Sequence, residues 1–383
     1  MTATPGEALR QARTARAWSQ DRLARAYNEC APAGSAPIGR EDVSRWEGDR
    51  RRMTPHTSAI MARALGVEAE QLTAVLPDPI RVAHEWLLAD QPQTLASEAG
   101  RRVGAELAAT LEARVVELRI LDDYLGGRDL APLLGKELRA SVRLVRESAY
   151  SQETGRRLLT VVGELSQLAG WSASDAGHYR AAQTHYLAGV QAATEAGQDG
   201  LAGNLLSCLA YQMTNRGQQL PDAQLLARTA AKGAAAATPM VRALLLERVA
   251  WAAASAGNAE QTARVLDQVD ETFDSRRPGD DDPHWVYWLS RDEVDTMRAR
   301  CAIRLGDPAA AEQLLVPVLA RYPADAAREC ALYWSWLAEA YARAHQTDQA
   351  REALGRVLGY AQISGSQRVD DRIAAVEGLL GAA

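Results

Sequence analysis

Phenylalanine is almost missing from this 383-residue sequence, with Phe273 the one example, and aromatic residues together make up 5%. β-rich cores draw heavily on aromatic and β-branched side chains, so this scarcity argues against a β-rich fold. Lysine is nearly as scarce: Lys136 and Lys232 are the two lysines among 43 basic residues, so almost all positive charge is arginine. The four cysteines, Cys30, Cys208, Cys301 and Cys330, show no C-x-x-C spacing. That excludes the usual zinc motifs and suits a reducing compartment. No apolar run approaches the length of a membrane helix. The opening Met1-Thr2-Ala3-Thr4-Pro5-Gly6-Glu7 has no basic segment followed by an apolar one, the mark of a signal peptide. The expectation is a cytoplasmic protein without a membrane partner. H-E-x-x-H, a glycine-rich phosphate loop and a nucleophile elbow are also absent. No enzyme, cofactor or metal is therefore expected. Asp280, Asp281 and Asp282 lack the further spaced ligands of a calcium loop and read as a solvated turn.

What is present is helix-forming. Apolar residues make up 47% and charged residues 24%, and alanine, leucine, arginine, glutamate and glutamine favour helices. An all-α protein of two or three domains follows. Charge is uneven. Residues 1–76 hold eleven Arg against nine Asp/Glu, a surplus of two that leaves a deficit of eight on the rest of a chain whose formal net charge is −6. A mildly basic head on an acidic body suits nucleic-acid contact by the head alone.

The head, 1–76, reads as five short helices. The first runs from about Gly6 to Arg16. Ser19 caps a second, Gln20 to about Asn28. A breaker-rich loop precedes a third at about Arg40–Glu47. Pro55 opens a fourth that closes on Gly66, and Glu68 to about Val75 is the fifth. Within it, Trp18-Ser19-Gln20-x-x-Leu23-Ala24, Val43-Ser44-Arg45-Trp46-Glu47, Pro55 and Ala62-x-x-Leu65-Gly66-Val67 occur in order. Together they resemble the phage-repressor helix-turn-helix family (XRE, or Cro/C1). Two departures stand out: the turn between the second and third helices is about nine residues longer than the family's tight turn, and Asp49 replaces its usual Gly or Asn.

The resemblance implies a third helix in the major groove of double-stranded DNA. Arg40 would then read guanine, and Glu41 or Asp42 would accept from cytosine. Ser44 and Arg45 follow one turn later, while Val43 and Trp46 point into the core. Ser19 and Gln20 stand where the family contacts phosphate. Arg50, Arg51 and Arg52 either grip the backbone or form a solvated loop.

Residues 77–150 read as a helical connector. A short helix at Ile80–Ala89 precedes a long one at Leu95–Leu125, with Val103, Leu107, Leu111, Val115, Leu118, Leu121 and Leu125 on one face. That face either packs internally or joins two copies. Leu118–Leu130 resembles the connector of repressor-headed, repeat-bodied regulators. From 151 to 383 the sequence repeats. Helix breaks fall at Gly177, Gly217, Gly257, Gly306 and His345, spaced 40, 40, 49 and 39 residues apart. Gly257-Asn258-Ala259 and Gly306-Asp307-Pro308 open similar text. The array is similar to tetratricopeptide repeats of long period, which implies a solenoid with a concave surface.

Candidate ligand contacts are Asn204 and Gln212, two turns apart on one helix, Trp285, Tyr287 and Trp288 in one aromatic run, Trp334 in another (Tyr333-Trp334-Ser335-Trp336), and Arg298. The aromatics serve either helix packing or a groove wall. Repressor-like head and repeat body together resemble, in domain order, the Rap, Rgg and PlcR quorum sensors. The expected function is a homodimeric, DNA-binding transcription regulator whose affinity is set by a peptide or small-molecule effector. The alternative is an interaction adaptor whose repeats hold a protein partner and whose head no longer binds DNA.

Overall fold

The computed structural model describes all residues except 1–3, 33–34, 68, 70–71, 73–77, 89–99, 218, 324–325 and 382–383. Among the described residues the chain is all-α, with eighteen α-helices, one 3-10 turn and one pair of two-residue strands. It divides into two compact units, Met1–Arg81 and Val82–Ala383.

The first unit holds α1 (Pro5–Thr14), α2 (Gln20–Cys30), α3 (Arg40–Glu47) and α4 (Pro55–Leu65). The hydroxyls of Thr4, Ser19 and Thr54 accept from the N–H groups of Glu7, Arg22 and Thr57, satisfying donors that a helix start leaves unpaired. Gly66, at φ 58°, closes α4. Leu9, Leu23, Val43, Trp46, Met61 and Leu65 form the core. Most of the expected fifth helix lies outside the described residues, although Ala69 and Leu72 are helical and Leu72 is buried.

Two departures from the family pattern acquire physical reasons. Asp49 sits in the left-handed region at φ 53°. Its carboxylate accepts from the Gly6 N–H at 2.9 Å and from the Thr4 hydroxyl, capping α1. Glycine, with no side chain, could not provide that cap. The lengthened loop is tied at its far end by Asn28, whose amide donates to the Ile38 carbonyl at 3.0 Å and accepts from its N–H at 2.9 Å.

The helix α5 (Pro79–Leu87) runs across the division, and Trp86 near its end packs on Gly233 of the second unit. The expected long helix is shorter than its sequence pattern. Residues 95–99 lie outside the described set. Arg101–Arg102 (β1) then pairs in parallel with Ser148–Ala149 (β2), and α6 covers only Ala105–Tyr124. Gly100 explains the break: it adopts φ 96°, and a Cβ there would lie 1.9 Å from the Glu147 carbonyl oxygen. On α6, Val115 and Leu118 are buried, while Leu107 and Leu125 remain 39% and 36% exposed. The helix α7 (Gly127–Glu147) leads into the repeats.

Five helix pairs follow: α8 (Gln152–Asp175) with α9 (Tyr179–Ala196), α10 (Asp199–Asn215) with α11 (Leu220–Gly233), α12 (Pro239–Ser255) with α13 (Ala259–Asp274), α14 (Arg291–Arg304) with α15 (Pro308–Arg321), and α16 (Ala327–Arg343) with α17 (Thr347–Ser364). The helix α18 (Gln367–Gly381) closes the series. The turn inside each pair falls at Gly177, Gly217, Gly257, Gly306 and His345, with φ of 82°, 61°, 75°, 85° and 59°. Glycine enters this region freely, whereas His345 and Gln219, the latter at φ 48° just before α11, bear the Cβ cost. The first helices of successive pairs pack on one another in file, α8 through α16 and then α18. Small residues let pairs close tightly: a Cβ on Gly170 of α8 would meet the Tyr186 ring of α9 at 2.4 Å. One face of each first helix is thereby turned to a shared interior.

Candidate functional site

In the first unit, α3 separates its side chains by face. Val43 and Trp46 are buried at 0% and 5% exposure, whereas Arg40, Glu41 and Arg45 are exposed and Asp42 and Ser44 are half-buried. Several of these groups have partners. The Asp42 carboxylate accepts from the Gly39 N–H and pairs with Arg51 at 3.5 Å. Glu41 pairs with Arg45 at 3.4 Å, and the Arg50 guanidinium donates to the Ser44 hydroxyl at 3.1 Å. Arg52 is exposed. The Gln20 amide donates to Glu47, a buried carboxylate that also takes Arg13 at 2.6 Å. Gln20 and Arg13 thus fix α1 and α2 against the end of α3. The Ser19 hydroxyl is the cap of α2.

The second unit encloses a cavity of about 750 Å³. Its lining comes from α6, α8, α9, α10, α12, α14, α16, α18 and the segment before α14, so it occupies the shared interior of the first helices. Of the ligand residues expected from sequence, Asn204, Gln212, Trp285, Tyr287 and Trp288 line it. The Gln212 amide donates to the Tyr179 carbonyl at 3.0 Å, and the Asn204 oxygen faces Cys208. Trp288 donates to the Trp285 carbonyl at 3.1 Å, and the Tyr287 hydroxyl donates to Asp123 of α6.

Two of the candidates lie away from this cavity. Arg298 lies outside the cavity, donating to the Leu266 carbonyl at 3.1 Å and pairing with Asp270 of α13. Trp334 faces α15 and α17, beside Val316 and Tyr341, in a separate smaller hollow. Each was misplaced by two residues: Arg300 and Trp336 line the cavity instead. At about 100° per residue, a two-residue step along a helix nearly reverses the direction of a side chain.

The residues that sequence reading missed give the cavity its character. Arg248 and Arg300 are buried to 6% and 8% exposure, and among the described residues neither pairs with a carboxylate. They lie instead over aromatic rings. Arg248 is 4.4 Å from the centre of Tyr211, and Arg300 is 5.3 Å from Tyr211, 4.4 Å from Trp251 and 4.8 Å from Trp336. Arg372 stacks on Trp336 at 3.5 Å while pairing with Glu339 at 2.6 Å. Thr296, Arg300 and Arg304 form a stripe at i, i+4, i+8 on α14, the one signal of this set readable in the sequence.

Titration reflects an excess of positive charge. Burial alone would raise the Tyr211 phenol, yet Arg300 and Arg248 outweigh it and bring it down to about 8. Burial, helped by repulsion from Arg300 and Arg304 and opposed by Glu339, lowers Arg372 to about 10. Burial pushes the Glu247 carboxyl up to about 8 against the pull of Arg248, so it is mainly neutral at pH 7. Burial likewise raises Glu293, although Tyr333 and Tyr322 donate to it. Among the described residues, several buried atoms of the lining side chains have no hydrogen-bond partner: Glu247 Oε1, Gln212 Oε1, Tyr186 Oη, Thr296 Oγ1 and Arg300 Nε. Leaving such atoms unpaired costs about 1–3 kcal/mol each, a cost that a bound molecule can offset.

No protein-family model matches the chain, and no curated protein matches it. Among the described residues no helix is long and apolar enough to cross a membrane, and no group of three or more His, Cys, Asp or Glu could hold a metal ion.

Proposed function

We propose that the chain is a cytoplasmic, sequence-specific DNA-binding transcription regulator. In this reading the first unit is a helix-turn-helix head of the phage-repressor type. The helix pairs of the second unit are a tetratricopeptide-like solenoid whose interior takes the effector. The observation that carries the reading is the division along α3, with Val43 and Trp46 anchoring it and Arg40, Glu41 and Arg45 left on its outer face. That is the arrangement a recognition helix needs. The surface pairs Glu41–Arg45 and Asp42–Arg51 are no obstacle. Exposed pairs are worth about 0–1 kcal/mol, and phosphate contact gains from counterion release.

The test is selection of binding sites by the full-length chain from random double-stranded DNA. Enrichment of an inverted repeat supports the reading; recovery of unrelated sequences would remove it. One observation favours the interaction-adaptor reading. Glu41 and Asp42 place two carboxylates on the first turn of α3, and the Gln20 amide is held by Glu47. An adaptor whose head no longer binds DNA would enrich no sequence in that selection.

A further inference from the structure

The cavity's own chemistry narrows the effector beyond the regulatory reading, on which this inference rests for its biological role. Its volume of about 750 Å³ lies within the range that takes one compact organic molecule, roughly 300–1,000 Å³. Two buried guanidinium groups, Arg248 and Arg300, flank the ring of Tyr211 without a carboxylate partner among the described residues. A buried charge is normally paired, because the cost of removing it from water is otherwise unmet. Stacking on Tyr211, Trp251 and Trp336 recovers part of that cost, since the face of an aromatic ring is electron-rich. It leaves the in-plane N–H donors without an acceptor among the described residues. These donors match the geometry of a carboxylate or a phosphate. Trp288, 37% exposed and 5.9 Å from the Arg248 guanidinium, offers a flat surface next to them.

We propose that this cavity binds a small acidic molecule with a planar ring, its anionic group held between Arg248 and Arg300 and its ring laid against Trp288. Burial raises both carboxyls that act on Arg248, Glu247 to about 8 and Glu293, which weakens their cancellation of its charge.

The probe is 1-naphthyl phosphate, with 1-naphthol and inorganic phosphate as the two halves of its chemistry. Each is titrated calorimetrically into the full-length chain at pH 7. One 1-naphthyl phosphate is expected per chain, bound at least about tenfold tighter than either half, since one charge-assisted hydrogen bond is worth that much. Replacing both arginines, Arg248→Gln with Arg300→Gln, should abolish the preference over 1-naphthol and change 1-naphthol affinity less than about threefold. Arg248→Gln alone removes a guanidinium that does not contact Trp251 or Trp336 and should lose part of the preference, should the double variant fail to fold by circular dichroism. Equal affinity for 1-naphthol, equal affinity for inorganic phosphate, no saturable binding of 1-naphthyl phosphate, or full preference retained without the arginines would each overturn the proposal. DNA is absent throughout, so failed site selection removes the regulatory reading and leaves this result intact. The converse also holds.

Discussion

Asp175 sits at the end of α8 with no exposure. Its carboxylate accepts from the Gly127 N–H at 3.1 Å, the Ser366 hydroxyl at 2.6 Å and Arg368 at 2.6 Å, and lies 4.0 Å from Arg328. Burial would raise this group, yet Arg368 and Arg328 hold it below the ordinary aspartate range. A depressed carboxylate stabilises the fold above its unfolded-state value, about 3.9, and the contribution is lost as pH falls through the folded value. Asp175→Asn should therefore cost about 3–5 kcal/mol at pH 7, because it leaves Arg368 buried without its charge partner. Urea midpoints taken from pH 6 down to pH 3 should fall for the wild-type chain and stay flatter for the variant. Glu247 has the opposite sign. Its folded value, about 8, lies above the ordinary glutamate value, so stability falls as pH rises from about 4.3 to 8 and levels off beyond. Glu247→Gln, neutral at every pH, should abolish that slope and gain on the order of a few kcal/mol at pH 8. Parallel pH profiles for variant and wild type would exclude a neutral, buried Glu247.

At the scale of the element, α3 supplies the sharpest comparison. Arg40 is exposed at its first position, so Arg40→Ala should weaken the selected site by about 1–3 kcal/mol and relax the preference at one base pair. Arg51 lies beyond the helix, so Arg51→Ala should weaken all DNA alike and flatten the salt dependence by about one unit of slope. Titrations at several salt concentrations separate the two, and equal losses on selected and random DNA would deny Arg40 a base contact. The bounds of α3 were legible because a breaker-rich loop precedes it and Val43 and Trp46 mark an apolar face. The inward face of α14 and α16 was not legible. Arg298 and Arg300 are alike in type, as are Trp334 and Trp336, and composition cannot tell which of two such residues meets the interior. Only the packing of α14 on α12 and of α16 on α14 settles the rotation of each helix.

For the whole molecule, the regulatory reading requires two copies. One head offers too little surface for tight specific binding, so two heads would read inverted half-sites about one helical turn, or a multiple of it, apart. Ile120 and Tyr124 on α6, 46% and 67% exposed, are among the apolar groups that such a contact could cover. Light scattering should report a dimer with selected DNA present; a monomer with and without it would contradict the expectation.

The sequence by itself determined what depends on neighbours along the chain. Helix-forming composition set the all-α class. Capping residues set where α2 and α4 begin, and glycine set four of the five turns within the helix pairs. Each follows from local backbone energetics, which a few adjacent residues decide. The tertiary structure alone decided what depends on distant residues meeting. It brought Tyr211, Arg248, Arg300 and Trp336 together from four helices and buried two guanidinium groups among aromatic rings. It also ended the apolar stripe of α6 at a glycine held against Glu147. Burial, and with it the charge state of Glu247 and the unused donor of Arg300, exists only once those helices pack. Water is then excluded from groups that stand far apart in the chain.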